Sequence, residues 1–287
     1  IGEFSKGLEY AHRALTWGRT FMAAGCLGAG HAAIAHTRVH TAERSQFGRQ
    51  LCKFPLVQEQ TAGMIADLYA AEAVERLVCE LFDTKTGDIA LDSTVAKIIA
   101  SEASWNIIDR GVQLLGGAGF MEETGMPRRL RDLRVTRIFE GANDVLRLHL
   151  AMSVIGWQSS DIETLPKLAS TVRPELAAAA QEFDALAPEL FTALLAARRR
   201  LGFRLYEHQG LQSDMADGMV CVYAMMASIL RANGSLGRID ESLRAKEAAI
   251  VGFACKRLAR TARIAIDKVR ADRAASDAAF VGTILAD

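Results

Sequence analysis

The sequence predicts an all-α protein made of two consecutive helical bundles. Apolar residues recur with a period near 3.6 almost throughout, Ala dominates several stretches, and alternating β-branched runs are almost absent. A length of 287 residues suffices for two ordinary domains. We place a four-helix up-down bundle at residues 1–156, a linker at 157–174 and a second helical bundle at 175–287. Because the sequence starts without Met and directly in a helical pattern, it is expected to be an internal segment of a longer chain.

The first two helices are predicted from apolar spacing and from a proline. From about Leu8 to Arg44, apolar side chains recur at helical spacing. The segment SQFGRQLCKFP then predicts a turn. Pro55 suits the first turn of the second helix, because its missing N–H would lack a helical partner there in any case. The segment DTKTGDIALDS predicts the connection to the third helix.

The third and fourth helices are predicted on either side of a glycine-rich turn. Asp92 or Ser93 is expected to cap the third helix. That helix ends in LLGGAGF, whose three glycines predict a flexible turn that exposes the backbone. A short basic helix from about Met126 to Arg134 leads to RIFEGANDVLRLHLAMSVIG, which predicts a fourth helix entered through Gly141.

The second bundle follows a change of composition. Beyond Trp157 the sequence becomes QSSDIETLPK, with Pro166 and Pro174 close together, which is typical of a linker. The region from about Glu175 to Arg273 again has the pattern of three or four long helices.

Composition and charge argue against several functions. The 34 basic residues equal the 34 acidic ones, so no global field attracts nucleic acid. The 5 cysteines include no CxxC pair, which indicates reduced thiols in a reducing compartment. No apolar run approaches the roughly 20 residues of a membrane span, so the protein is expected to be soluble or to lie on a membrane surface.

Three histidines on the first helix were weighed as metal ligands. His31, His36 and His40 are four or five residues apart, but no carboxylate or Cys completes the set in sequence. Surface or packing histidines are the better interpretation, and no metal site is predicted.

Glu140 is the strongest candidate for acid-base chemistry. It stands between Phe139 and Gly141. Apolar neighbours disfavour the charged form of a carboxylate, which suits it to accept a proton, and glycine lets a ligand approach the backbone. The alternative is an acid in the first turn of a helix, favoured there by the helix dipole.

Four segments together extend this interpretation. AERSQFGRQL, VQLLGGAGF, RRLRD and RIFEGANDVLRL occur in an order and at separations that resemble the C-terminal helical domain of the acyl-CoA dehydrogenase family, over residues 1–156. The segment EHQGLQSDMADGMVCVYAMMASILRA is similar to the extra C-terminal domain of the very-long-chain branch of that family. The family's N-terminal helical domain and middle β domain have no counterpart in this sequence.

The resemblance implies an FAD-dependent α,β-dehydrogenation of long- or very-long-chain fatty acyl-CoA in fatty acid β-oxidation. Glu140 matches the catalytic base that takes the α-proton, while the β-hydrogen leaves as hydride to FAD. One branch, that of isovaleryl-CoA dehydrogenase, carries its base at the position of Gly18. Since Gly18 cannot act as a base, the chain resembles the straight-chain branches. Phe139, Gly18, Arg19 and Gly141 match positions beside the substrate.

The resemblance also implies a cofactor site. Arg44 matches the residue that holds the FAD pyrophosphate across a subunit interface, a task that suits a planar, permanently charged guanidinium. In isolation Arg44 reads as a solvated charge at a helix end. Ala142 replaces a usual Thr, which removes one hydroxyl from the flavin site. The full implied set is Arg44, Ser45, Gln46, Phe47, Gln113, Leu114, Leu115, Gly116, Gly117, Gly141, Ala142, Asn143 and Asp144.

The implied partners are a fatty acyl-CoA, an electron-transfer flavoprotein as electron acceptor and a second copy in a homodimer. The implied location is the bacterial cytoplasm or the mitochondrial matrix. In ALLAARRRLGFRLYEH, apolar residues alternate with arginines 198–200 and 204, which is typical of peripheral contact with an anionic membrane such as the inner mitochondrial membrane. A helix that covers the enzyme with its arginines solvated explains the segment slightly better.

Two other functions stay open on the same fold. An acyl-CoA oxidase would pass its electrons to oxygen. A non-catalytic assembly protein, like relatives that assist respiratory complex I, would not need the base. Glu140, Arg44 and Gln113 favour catalysis, whereas Ala142 favours the assembly protein.

Overall fold

The computed structural model of the chain describes residues 2–84, 89–271 and 283–284. Helices dominate these residues, and the strands described are those of one short hairpin, which confirms the all-α class. Part of the predicted connection DTKTGDIALDS, residues 85–88, and most of the chain after residue 271 lie outside the described residues. The chain forms two compact units, Ile1–Asn143 and Asp144–Asp287.

The first unit contains five helices and a hairpin. In chain order these are α1 (Gly7–Glu43), β1 (Ser45–Gln46), β2 (Arg49–Gln50), α2 (Pro55–Thr84), α3 (Ala90–Leu115), α4 (Gly117–Phe120) and α5 (Met126–Thr136). Short 3-10 turns lie at Leu51–Lys53 and Glu122–Thr124. The predicted turn after the first helix is the hairpin, and α2 begins at Pro55 as expected.

Side-chain contacts give the directions of the long helices. Helix α2 runs antiparallel to α1, α3 runs parallel to α1, and α5 runs antiparallel to α3. For α1 and α2 the contacts are Trp17 with Phe82 and His31 with Glu72. For α1 and α3 they are Arg19 with Thr94 and Gly30 with Ser104. For α3 and α5 they are Gly111 with Met126 and Glu102 with Arg137. The unit is therefore an up-down-up-down bundle.

One glycine explains how closely α1 approaches its neighbours. A Cβ atom on Gly30 would lie 3.1 Å from Leu68 Cδ1 on α2 and 3.2 Å from Ser104 Oγ on α3. Gly25 and Gly28, in contrast, are exposed, and a Cβ on either would have no neighbour within 4 Å. The glycines of α1 thus differ in role, and Gly30 is the one that permits helix packing.

Two expectations about α3 are wrong. The helix begins at Ala90, so Asp92 lies in its first turn and does not cap it. Ser93 does not cap it either, because its hydroxyl donates to the Ala90 carbonyl at 2.9 Å. At the other end, where a flexible turn was predicted, Gly116 takes φ 60° and residues Gly117–Phe120 form the helical turn α4.

The predicted fourth helix is also placed differently. Helix α6 (Asn143–Met152) begins at Asn143 and not at Gly141. Almost all of it belongs to the second compact unit, which begins at Asp144. The compact units thus divide earlier in the chain than the sequence boundary that we placed after residue 156.

The second unit contains three further long helices. They are α7 (Ala177–Leu201), α8 (Gln209–Ser235) and α9 (Glu241–Ala271). Asp214 of α8 pairs with Lys268, and Ser235 donates to Glu247, so α8 and α9 are antiparallel. On α7 the ion pairs Glu182 with Arg263 and Glu189 with Arg270 step in the same direction along both helices, so α7 and α9 are parallel.

The segment placed as a linker packs against α7. The Trp157 ring stacks on Phe191 with 4.3 Å between ring centroids. The Asp184 carboxylate accepts hydrogen bonds from the backbone N–H of Leu168 at 2.8 Å and of Ala169 at 3.0 Å. This stretch has short 3-10 turns and no long helix.

Helix α8 corrects the expectation that no segment is long and apolar enough to span a membrane. Its 27 residues include an 18-residue window of mean hydropathy 1.3. Within the unit, however, 61% of that window is buried. Its burial pattern is that of a core helix, with Met215, Ala224 and Ile229 fully enclosed.

Candidate active site

A tight turn between α5 and α6 carries Glu140. Glu140 has φ 56° and Gly141 has φ 98°, so two consecutive residues take the left-handed region. The backbone N–H of Asn143 donates to the Arg137 carbonyl at 3.0 Å and closes the turn. A non-glycine residue in this region costs roughly 1–2 kcal/mol and persists only where its surroundings fix it. Glu140 precedes α6, so the interpretation as a first-turn helix acid is wrong.

The Glu140 carboxylate lies against α1 at Gly18. A Cβ atom on Gly18 would lie 2.8 Å from Glu140 Oε2 and 3.0 Å from Oε1. Real Cβ atoms do not approach oxygen this closely, so the carboxylate fills the space that a side chain at position 18 would need. Gly18 and Glu140, far apart in the sequence, therefore compete for the same space in the structure.

Arg19 holds the turn from the side of α1. Its Nε donates to the Glu140 carbonyl at 3.1 Å, and its Nη1 donates to Thr94 Oγ1 at 3.3 Å. The side chain is half-buried. Burial lowers the pKa of Arg19, and the nearby Glu140 charge opposes that shift. Arg19, predicted beside the substrate, is thus also a structural partner of Glu140.

Lys97 of α3 was missed by sequence reasoning. It is fully buried, and its ammonium donates to the Gly141 carbonyl at 2.8 Å and to Asn143 Oδ1 at 2.5 Å. A lysine inside the apolar run VAKIIA was the available signal, because lysine is almost never fully buried without partners.

Asn143 connects Lys97 to an ion pair on the other side. Its Nδ2 donates to Ser101 Oγ at 3.0 Å and to Glu102 Oε1 at 2.8 Å. Glu102 in turn pairs with Arg137 at 2.9 Å. The Asn143 side chain, predicted as a cofactor contact, is 3% exposed and holds the turn to α3.

The remaining residues of the turn face outward to different degrees. Phe139 is 45% exposed, and Gly141 and Ala142 are half-buried. The structure therefore brings Glu140, Phe139, Gly141, Gly18 and Arg19 together, as the resemblance implies. We call this group the acid cluster.

A second predicted group lies in the β1–β2 hairpin, at the C-terminal end of α1. Phe47 and Gly48 occupy its tip with φ 51° and 80°, which fits the positive φ values of a type I′ turn. Arg44, Ser45 and Gln46 precede the tip and are exposed, and Phe47 is 91% exposed. The Arg44 side chain makes no hydrogen bond or ion pair with other described residues.

The third predicted group, Gln113–Gly117, ends α3. Gln113 and both glycines are exposed, Leu114 is half-buried, and Leu115 points into the core at 4% exposure. A Cβ on Gly116 or Gly117 would meet no atom within 4 Å, so packing does not demand glycine there, although Gly116 takes a positive φ. This open backbone leaves room for a ligand.

The acid cluster and the hairpin lie at opposite ends of α1. Arg19 and Arg44 are separated by 25 helical positions, which corresponds to about 37 Å at 1.5 Å per residue. Thr37 of α1 lies beside Gly111 of α3, so the Gln113–Gly117 segment belongs to the hairpin end. An open groove of about 730 Å³ also lies near that end, lined by α1 and α2 and including Arg38 and Gln58.

Among the residues that the structure describes, no three His, Cys, Asp or Glu side chains gather in a way that suits a metal ion. His31 instead contacts the Glu72 carboxylate of α2. Burial lowers the pKa of His40, and the charges of His36 and Arg44 lower it further.

The sequence agrees with a family model described as "Acyl-CoA dehydrogenase, C-terminal domain" over residues 5–155, just over half of the chain. The chain belongs to the acyl-CoA dehydrogenase family. Human mitochondrial very long-chain specific acyl-CoA dehydrogenase is 32% identical over 270 residues, covering 82% of this chain and 41% of the relative. The short-chain specific acyl-CoA dehydrogenase of Megasphaera elsdenii is 35% identical over 146 residues, covering 50% of this chain and 38% of the relative.

A solved acyl-CoA dehydrogenase from Bacillus anthracis, in complex with FAD, has the same fold. The TM-score is 0.84 at 24% identity, and the match covers 93% of this chain and 50% of the other. The chain therefore spans about two fifths of the length of these curated acyl-CoA dehydrogenase relatives and half of the solved one. It corresponds to the C-terminal part of the acyl-CoA dehydrogenase fold.

Proposed function

We propose that the protein catalyses the FAD-dependent α,β-dehydrogenation of long- or very-long-chain fatty acyl-CoA to trans-2-enoyl-CoA. The observation that carries this proposal is the position of the Glu140 carboxylate, held in a left-handed turn against Gly18 and flanked by the outward-facing Phe139. A fixed carboxylate beside an exposed aromatic ring suits proton abstraction from a clamped substrate.

Four residues of the acid cluster have distinct roles in this proposal. Glu140 accepts the α-proton of the thioester on a carboxylate oxygen. Gly18 provides the space in which that carboxylate lies, and Arg19 fixes the Glu140 carbonyl. Phe139 covers the thioester and helps to exclude water, which keeps the electrostatic interactions at the reacting carbon strong.

The residues at the hairpin end fit FAD. The Arg44 guanidinium is exposed and suits a pyrophosphate, and the open backbone at Gly116 and Gly117 accepts a close ligand. When bound, FAD supplies the acceptor for the β-hydrogen, which leaves as hydride. Ser45, Gln46, Phe47 and Gln113 would accompany Arg44, and Gly141, Ala142 and Asp144 would lie near the flavin. Ala142 contributes no hydroxyl, so the backbone of the turn would supply the donors there.

The separation of these two ends supports a homodimer. About 37 Å of helix α1 lies between the acid cluster and Arg44. We therefore assign Arg44 to the flavin that serves the base of a second copy, and each site would combine Glu140 of one subunit with Arg44 of the partner subunit. The family resemblance implies the same arrangement.

The very-long-chain type rests on the second unit. The match to the human very long-chain specific enzyme covers 82% of the chain, whereas the match to the short-chain specific enzyme covers 50%. A second unit after the catalytic bundle therefore supports the very-long-chain branch. In this proposal an electron-transfer flavoprotein takes the electrons, in the bacterial cytoplasm or the mitochondrial matrix.

Peripheral membrane contact is proposed for the segment that follows α7. Phe203 and Tyr206 are 78% and 60% exposed there. Arg198 and Arg199 are less suited than expected, because they donate to the Trp157 carbonyl and to Ser159. The contact would therefore rest on Phe203, Arg204 and Tyr206. Replacing Phe203 and Tyr206 by Ser is expected to reduce co-sedimentation with anionic liposomes, and unchanged co-sedimentation would contradict it.

The proposed reaction is tested by anaerobic titration of the flavin-loaded full protein with a long-chain saturated acyl-CoA. The oxidised flavin absorbance is expected to bleach in the wild type. Glu140→Gln keeps the shape but removes the proton acceptor, so it should bind flavin without bleaching. Flavin that stays oxidised in the wild type would contradict the substrate class. Rapid reoxidation of the reduced flavin when oxygen is then admitted would favour the oxidase. Failure of the full protein to load flavin beforehand would favour the assembly protein.

A further inference from the structure

The turn that carries Glu140 is held through two successive carbonyl groups, each by a different cation. Arg19 of α1 donates to the Glu140 carbonyl at 3.1 Å, and Lys97 of α3 donates to the Gly141 carbonyl at 2.8 Å. Glu140 and Gly141 are the two residues of this turn with positive φ. Each cation thus fixes the orientation of one peptide group in the strained part of the turn.

Lys97 is the more costly of the two cations. Its side chain is fully buried, whereas Arg19 is half-buried. A buried ammonium loses its hydration and is tolerated only where partners satisfy its donors. A methionine of similar length would fill the same volume without that cost. Packing alone therefore does not explain a lysine at this position.

The donors and acceptors in the hydrogen bonds around Lys97 can be assigned in only one way. An ammonium only donates and a carboxylate only accepts, so Asn143 must turn its Oδ1 to Lys97 and its Nδ2 to Glu102. Glu102 is then fixed by Arg137, whose carbonyl accepts the Asn143 N–H. The chain of contacts begins at Lys97 and returns to the turn.

We propose that Lys97 is a positioning residue for the base, and that its ammonium holds the Glu140–Gly141 turn in the left-handed conformation that places the carboxylate against Gly18. Lys97 acts through the Gly141 carbonyl and Asn143 and does not touch the substrate. The catalytic consequence rests on the proposed function, whereas the effect on the turn does not.

The kinetic test uses Lys97→Met in the flavin-loaded full protein. Displacement of a catalytic group by about 1 Å can cost on the order of 100-fold in rate, so flavin bleaching by acyl-CoA is expected to slow by at least about tenfold. KM should change little, because no proposed substrate contact is removed. Lys97→Gln retains a neutral donor and is expected to recover part of the rate.

The matched control is Ile108→Ala on the same helix. Ile108 is fully buried and lies 11 residues from Lys97, about 16 Å along the helix axis. It is expected to lower Tm through a cavity while leaving the bleaching rate near that of the wild type. A similar loss of rate in both variants would reduce Lys97 to a general stabilising residue and overturn the proposal.

Amide hydrogen exchange of residues 138–143 reads the turn without using catalysis. Lys97→Met should accelerate exchange in this segment, and Ile108→Ala should not. Unchanged exchange in a folded Lys97→Met protein would overturn the proposal. If the wild-type flavin is not bleached but exchange responds to Lys97→Met, the proposed function fails and the positioning role stands. If Lys97→Met does not fold, the comparison is made with Lys97→Gln, for which wild-type exchange and wild-type rate would overturn the proposal.

Discussion

Gly18 shows how an absent side chain leaves room for a carboxylate, that of Glu140, the proposed base. The Glu140 carboxylate occupies the space next to the Gly18 Cα, where a Cβ would come within 2.8 Å of Oε2. Glycine in the middle of a helix costs about 1 kcal/mol relative to alanine. The sequence therefore gives up local helix stability at the point where the carboxylate must approach α1.

Gly18→Ala is expected to separate stability from activity. Alanine gains helix propensity of about 1 kcal/mol, but its methyl group displaces the Glu140 carboxylate. Flavin bleaching by acyl-CoA should slow markedly, with little loss of Tm. Gly28→Ala is the matched control, since it brings the same propensity gain on the same helix with no neighbour within 4 Å. Equal rates in the two variants would contradict the account of Gly18.

Glu75 is a buried acid outside the acid cluster. It is 6% exposed on α2, and its Oε2 has no hydrogen-bond partner among the described residues. Burial raises the pKa of Glu75 to about 7, and a hydrogen bond from the Cys79 thiol opposes the shift only in part. Burial raises the pKa of Cys26 on α1, and a negative charge on Glu75 would add to that shift. The folded protein is therefore more stable when Glu75 is protonated than when it is charged.

Stability is expected to fall as pH rises through the range set by Glu75. The pKa of Glu75 is about 7 in the folded protein against 4.5 for an unperturbed Glu side chain, so folding favours proton uptake. The stabilising protonated form is complete below about pH 4.5 and is lost as pH rises to about 7, a change of about 3 kcal/mol at 1.36 kcal/mol per pKa unit. Urea unfolding of the wild type and of Glu75→Gln at pH 5 and pH 8 measures this difference.

Between pH 5 and pH 8, the free energy of unfolding of Glu75→Gln should fall less than that of the wild type. Glu80→Gln is the control, because Glu80 is exposed on the same helix and its removal should leave the pH dependence unchanged. Parallel pH profiles for the wild type and Glu75→Gln would refute the role of Glu75.

At the scale of elements, α4 depends on its contact with the last turns of α3. Gly119 is buried, and a Cβ on it would lie 2.9 Å from Val112 Cα and closer still to the Val112 carbonyl oxygen. A backbone group cannot move aside as a flexible side chain can. The position of the Gln113–Gly117 segment thus follows from a glycine that touches α3.

Gly119→Ala is expected to destabilise this end of the first unit by about 1–3 kcal/mol through overpacking. The Gln113–Gly117 segment should shift, and flavin affinity should fall with it. Gly117→Ala is the control for stability, since its Cβ would meet no atom within 4 Å. Thermal unfolding followed by circular dichroism compares the two variants. An equal Tm would show that α4 accommodates the added methyl group of Gly119→Ala without loss of stability.

At the scale of the whole molecule, the distance between Arg44 and Glu140 predicts complementation between subunits. Glu140→Gln and Arg44→Ala should each be inactive alone. In a mixed dimer, one site would combine an intact Glu140 with Arg44 of the partner subunit. Co-expression in equal amounts should therefore restore about a quarter of the wild-type rate, since half of the dimers are mixed and each has one intact site of two.

The measurement is acyl-CoA-dependent flavin reduction in the co-expressed protein. Separately expressed variants that are mixed without subunit exchange provide the control and should stay inactive. No recovery in verified mixed dimers would mean that Arg44 and Glu140 of the same subunit serve one site, which contradicts the proposed assembly.

Local patterns predicted much of this molecule. Apolar spacing predicted the helices, Pro55 predicted the start of α2, and SQFG predicted the turn that the hairpin makes. The cap of α3 was not predictable from propensity, because the hydroxyls of Ser93 and Thr94 bond back to the Ala90 carbonyl inside the helix. Residue types that favour caps also make this alternative bond.

The acid cluster was accessible to the sequence only in part. The neighbours of Glu140 made it a candidate and the resemblance gave it a role, whereas Gly18 was linked to it only by the resemblance; the structure brings the two into contact. Lys97 and Glu102 reach the turn from α3 across long sequence separation, so no local pattern links them to Asn143. The roles of the hairpin residues in holding FAD stay predictions.

The shared place of Gly18 and Glu140 has a consequence for how this protein would vary over evolutionary time. A larger side chain at position 18 leaves no volume for the acid at position 140, so the two positions form one constraint on total volume. Among related sequences, bulk at one position should accompany a small residue at the other. Considered alone, position 18 would look like a helix position that tolerates many residues. Considered together with position 140, its glycine is explained by the space that the carboxylate needs.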